Sequence, residues 1–171
     1  MKKSVIITAI LLGITISGCG ASGDASNSNA IAKEDVCTLL TTAEVSNLVG
    51  EAVNEGKRDT KHTYPNASVC TWTSVSHNMP LLTLTYYLHT SAYALDHYAL
   101  PGSQIKKLNG TSNEAIAVLG VNKKLSEVIA RSGNNAVLLM SLSLESKEGS
   151  KNWNNEIKLT DLAAQRAEKK K

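Results

Sequence analysis

Between Leu81 and Leu88 the chain reads LLTLTYYL, with Leu82, Leu84, Tyr86 and Leu88 at every second position. A period of two sends successive side chains to opposite faces, so an extended strand gathers these four on one side. That side is apolar and has to be covered, while the other carries Thr83, Thr85 and Tyr87. The alternation assigns Tyr86 to the core and turns Tyr87 towards solvent or a partner, which makes it the candidate binding-surface residue. Upstream, Val69 to Ser76 alternates Val and Thr against Cys, Trp and Ser, and Asn78-Met79-Pro80 joins the two runs. An antiparallel hairpin is predicted.

Helical signals flank the hairpin. Thr41-Thr42-Ala43-Glu44 has the spacing of a capping box, with Leu40 and Val45 at the staple positions and Gly50 as a left-handed exit, so a helix is predicted over Thr42 to Val49. Ser91 to Leu100 places Ala94, Leu95, Tyr98 and Ala99 at helical spacing before Pro101-Gly102. Strand-like segments follow at Gln104 to Leu108, Leu125 to Arg131 and Val137 to Leu144, the last two joined by a turn over Ser132 to Asn135. A final helix is expected from Glu156 to Glu168, running into Lys169, Lys170 and Lys171. The order defines an α+β domain over 34–171, an antiparallel sheet packed with two or three helices.

The N-terminus belongs to a different chemistry. Lys2 and Lys3 precede an apolar run from Val5 to Ile16, about 12 residues and too short for a hydrocarbon core that needs roughly 20. The run has the form of a secretory signal over 1–18. Ile16-Ser17-Gly18-Cys19 resembles the bacterial lipobox, which implies diacylglyceryl transfer to the Cys19 sulfur and cleavage just before it. Lipidation at Cys19 would place the membrane among the partners, and Gly20, where aspartate would favour inner-membrane retention, points to the outer membrane in a Gram-negative cell. Residues 20–33, GASGDASNSNAIAK, are small and polar and read as a flexible tether spanning on the order of 20 Å.

Without Lys2 and Lys3, the 18 basic residues become 16, set against 15 acidic ones. A nearly neutral chain with no basic and aromatic interleaving does not present a nucleic-acid surface. With Cys19 acylated, Cys37 and Cys70 are left as a pair. In an oxidising compartment an even remainder points to a disulfide; a metal pair or reactive thiols would require ligands or an activating base that neither cysteine has nearby in sequence.

Cys37-Thr38-Leu39-Leu40-Thr41-Thr42-Ala43-Glu44-Val45, ending at Gly50 and followed by Cys70-Thr71-Trp72, resembles a family of bacterial lipoproteins with a C-x-L-L-T-x-x-E-V helix and a later C-x-W strand. The resemblance implies a Cys37 to Cys70 bridge, Trp72 packed close to it, and a fold similar to the α/β sandwich of PsbP-like proteins. Only Glu114 and Ala115 match the stretch that family members carry as glycine-aspartate-glutamate-alanine. The family has no agreed activity, so the resemblance implies location and fold but no chemistry.

Catalytic and metal signatures are missing from the sequence. His62, His77, His89 and His97 share no i, i+4 spacing, Asp96-His97 has no elbowed nucleophile to serve, and the glycines form no phosphate-binding loop. Neither a cofactor nor a metal is expected. The chain has no phenylalanine, so its tyrosines divide between core sites and an exposed face. The expectation is a non-enzymatic binding module for an envelope protein or small ligand. A periplasmic immunity protein against a secreted toxin, or an envelope enzyme whose site is assembled from distant residues, are the alternatives.

Overall fold

A computed structural model describes residues 36–61, 66–88, 93–120, 122–134 and 136–170. Cys19, His62 and His89, with the expected signal and tether, lie outside the described residues. Seven strands form one antiparallel sheet: β1 (Lys57–Arg58), β2 (Ala67–Thr73), β3 (Pro80–Leu88), β4 (Gln104–Leu108), β5 (Ala115–Leu119), β6 (Lys124–Ser132) and β7 (Ala136–Lys147). Their order across the sheet is β1-β2-β3-β7-β6-β5-β4, which sets β7 at the centre. Two α-helices, α1 (Thr42–Val49) and α2 (Lys151–Lys169), accompany short 3-10 segments at Val36–Leu39 and Leu95–Tyr98. Among the described residues no helix is long and apolar enough to cross a membrane.

The hairpin forms with Cys70 opposite Leu84 and Trp72 opposite Leu82. Leu82, Leu84, Tyr86 and Leu88 are buried on one face, together with Ala136, Leu138 and Met140 of β7 and Leu159, Ala163 and Ala167 of α2. The small residues of α2 let the helix lie close on the sheet, and Ala164 packs there against Ala115 and Ala130.

At α1 the predicted cap is present. Glu44 N–H donates to Thr41 Oγ1 at 3.2 Å, Thr41 N–H donates to Glu44 Oε2 at 2.8 Å, and Gly50 ends the helix at φ 81°. Glu44 also accepts both arms of the Arg166 guanidinium, at 2.8 and 2.7 Å, tying α1 to α2. Those hydrogen bonds hold its carboxyl down at about 2. Cys37 and Cys70 form a disulfide with Cα atoms 5.2 Å apart, fastening the first 3-10 segment to β2. The approach there is close: a Cβ on Gly56 would sit 2.6 Å from the Trp72 ring and 2.8 Å from Cys70 Sγ. Glycine is the residue that fits.

Three expectations are corrected. The helix predicted over Ser91 to Leu100 is a 3-10 segment of four residues, Leu95–Tyr98, with Ser91 itself outside the described residues. Ala94 and Ala99 are extended, Ala94 offers no side-chain cap, and Pro101 disfavours helical geometry at Leu100, so too few residues remain to nucleate an α-helix. Strand β5, AIAVL, was not expected. All five of its residues are buried, so it reads as a continuous apolar run without alternation. The last helix starts at Lys151 rather than Glu156, because Ser150 Oγ accepts from Trp153 N–H and caps it.

Candidate binding surface

The second face of the sheet carries its own apolar cluster: Ile116, Val118, Ile129, Val137 and Leu139, covered by Leu95 from the 3-10 segment, with Tyr87, Tyr98 and Ala99 packed around it. Four rings rise from this face in sequence of contact. Tyr87 on β3 lies 5.3 Å from Tyr98 at a tilt of 42°. His97 meets Tyr98 edge-on at 5.6 Å. Tyr93 then stacks on His97 at 4.5 Å, the two planes 12° apart. These separations fall in the range where aromatic pairs attract beyond their area burial.

Arg131 fixes the outer end of this series. Its Nη2 donates to the Tyr93 carbonyl at 3.1 Å and its Nε to Glu114 Oε2 at 3.0 Å. Tyr87 is therefore half-buried at the base of the ring series, and Tyr93, 49 % exposed, faces outward with the exposed His97. The alternation put Tyr87 on the right face of the sheet and missed what covers it. No strand pattern announces Tyr93 or His97; the single sequence signal was the density of Tyr and His between Tyr86 and Tyr98. Other apolar side chains exposed on the protein include Leu100, where the chain turns towards β4, and Ile105 on β4 itself.

Elsewhere, two clefts of about 280 Å³ each flank α2. One is lined by Leu48, Leu159 and Leu162 together with Asn47 and Asn155. The other lies under the β4–β5 loop, between Leu108, Asn109, Asn154 and Ile157. Lys158 borders both. Asp161, also on α2, accepts from the backbone N–H groups of Ser112 and Asn113, at 3.0 and 3.3 Å, and so docks that loop on the helix.

Among the described residues the acid raised furthest is Glu156. It is 0 % exposed on α2, and among the described residues neither carboxyl oxygen has a hydrogen-bond partner. Burial, and secondarily the charge of Glu127, push it up to about 8. Glu127 is itself raised by burial, against the opposing effect of a hydrogen bond from Ser141. An acid near neutrality is the kind of group that serves as a general acid or base, and Glu156 carries it at a site with no exposed surface. Among the described residues no three or more His, Cys, Asp or Glu side chains come together as metal ligands.

Comparison of the chain with family models, with curated proteins and with solved structures found no match.

Proposed function

We propose that the chain is a lipid-anchored extracytoplasmic binding protein that holds an envelope protein or small ligand without transforming it, and that its fold is of the PsbP-like type. The observation that carries the binding reading is the ring series Tyr87, Tyr98, His97 and Tyr93, which mounts an exposed aromatic end on a rigid sheet. Tyrosine offers large contact area at low entropic cost, and a paratope-like surface needs little else in the way of chemistry. The lipobox at Cys19 supports the anchor, and the Cys37–Cys70 disulfide supports an oxidising compartment. The antiparallel sheet packed by helices supports the PsbP-like assignment.

Two experiments separate the parts of this reading. Cys19→Ala is expected to abolish acylation and release the protein from the membrane fraction; retention after a high-salt wash overturns the anchor. For the binding face, the wild-type protein and the Tyr93→Ala and His97→Ala variants are coupled to resin and exposed to solubilised envelope from the same cells. The variants are expected to melt like wild type while losing most of the captured ligand, and equal capture overturns the assignment of this face.

A further inference from the structure

The sheet has two edges, and they are unlike. β1 offers two residues, whereas β4 offers five, paired to β5 from Gln104 opposite Leu119 to Leu108 opposite Ala115 without a register shift. Among the described residues no strand lies beyond β4, and its first four residues are exposed. Such an edge presents a row of backbone N–H and C=O groups ready to pair with another chain. Proteins blunt such an edge with charged side chains, proline, a bulge or a cover; of these β4 has its two lysines, one of them, Lys106, taken up by an ion pair with Glu148.

Those lysines divide between the faces. Leu108 packs on the α2 side against Ala115 and Ala130, so Lys106, two residues away, shares that side, where it is ion-paired to Glu148. Ile105 and Lys107 lie opposite Val118 and Ile116 and so share the aromatic-capped face. Lys107 is exposed, and Ile105 is 43 % exposed. A second copy of β4 is a poor occupant. Full antiparallel pairing sets Lys106 against Lys106, in-register parallel pairing repeats every lysine, and like charges placed directly opposite repel.

We infer that the β4 edge takes an extended segment of a partner protein as an eighth strand, one that presents on the aromatic-capped face an apolar residue against Ile105 and, two positions along, an acidic residue against Lys107. The inference rests on the binding reading above and gives the partner its chemistry. Backbone pairing supplies the affinity in this mode, and the alternate side chains supply the choice of partner. Ile105 gives an incoming apolar side chain a surface to cover, while Lys107 rewards a carboxylate and repels a second basic strand.

The test titrates the full chain into a fluorescein-labelled Thr-Val-Thr-Leu-Thr-Asp-Thr-Val-Thr peptide and into the same peptide with Lys in place of Asp, reading anisotropy. The aspartate peptide is expected to bind about fivefold or more tightly than the lysine peptide, and Lys107→Glu to invert that order. Amide exchange at 104–108 is expected to slow when the aspartate peptide binds. Failure of both peptides to bind, equal binding of the two, or a Lys107→Glu variant with unchanged preference overturns the inference. Amides of β4 already protected in the free chain, or protected only in a concentration-dependent dimer, would mean the edge is covered by the chain itself or by a second copy, and overturn it as well. Envelope capture that depends on Tyr93 and His97 but not on Lys107 would leave the binding face standing and remove the edge site.

Discussion

Replacing Glu156 by glutamine isolates the energetic consequence of the buried acid. Burial and the Glu127 charge raise its carboxyl from 4.5 to about 8 in the folded chain. Between those values the folded protein holds a proton that the unfolded chain has released, so stability falls with rising pH, by about 1.4 kcal/mol per pH unit. Stability is full below the unfolded value, has dropped by about 3 kcal/mol at pH 7, and levels off above the folded value. Glutamine keeps the shape and stays neutral throughout, so Glu156→Gln removes this slope. Glu44 works the other way: Arg166 holds it at about 2, and the stability it gives is present above 4.5 and lost as pH falls towards 2. That contribution is common to both proteins and cancels in their difference. Urea unfolding followed by tryptophan fluorescence suits the comparison, since Trp72 and Trp153 are both buried. The variant is expected to match wild type near pH 4 and to exceed it by about 3 kcal/mol at pH 7. Parallel stability curves for the two proteins from pH 4 to 8 would refute the reasoning, because they would mean that Glu156 ionises as freely folded as unfolded.

Three further expectations follow from the packing. Cys37 and Cys70 should resist thiol reagents in the denatured, unreduced protein, and reduction should cost about 4 kcal/mol for a separation of 33 residues, read as a lowered Tm. Gly56→Ala forces a methyl group into the Trp72 ring and Cys70 Sγ and should destabilise by about 1–3 kcal/mol in urea melts, with a changed near-UV signal from Trp72. Tyr86→Ala, at a site with no exposure, should cost about 3–5 kcal/mol, whereas Tyr93→Ala should stay within about 0.5 kcal/mol; thermal melts that reverse this ranking would mean that Tyr86 does not fill a core site.

Where one face of an element meets water, the sequence was legible. The alternation of Leu82, Leu84, Tyr86 and Leu88 gave β3 its inward face, and the Thr41 and Glu44 pair gave α1 its start because a capping box is local chemistry. β5 was hidden for the opposite reason: with the 3-10 segment on one side and α2 on the other, Ala115–Leu119 has no wet face to produce a period. Glu156 was invisible because a glutamate in a helical pattern reads as solvent-facing, and only packing shows that it is buried, one helical turn before Thr160, whose hydroxyl reaches Met140 Sδ. The aromatic series was half legible. Tyr87 announced itself by alternation, but its packing involves Tyr98, whose position follows from a helix that Pro101 and the uncapped start at Ala94 reduce to a single 3-10 segment.

The two sides of the sheet are fastened differently, and this difference bears on where recognition can occur. The α2 side is held by the disulfide, the Glu44–Arg166 pair, the Ser150 cap and the Asp161 clamp on the β4–β5 loop, so moving any element there disturbs several others. Among the described residues the opposite side is covered by the four-residue 3-10 segment, which packs through Leu95 and the ring contacts, with the Arg131 hydrogen bond to the Tyr93 carbonyl just before it. The ring series, Ile105 and Lys107 all belong to this second side, so the binding reading and the strand-addition inference share one face, while the buried acid lies on the α2 side and bears on stability.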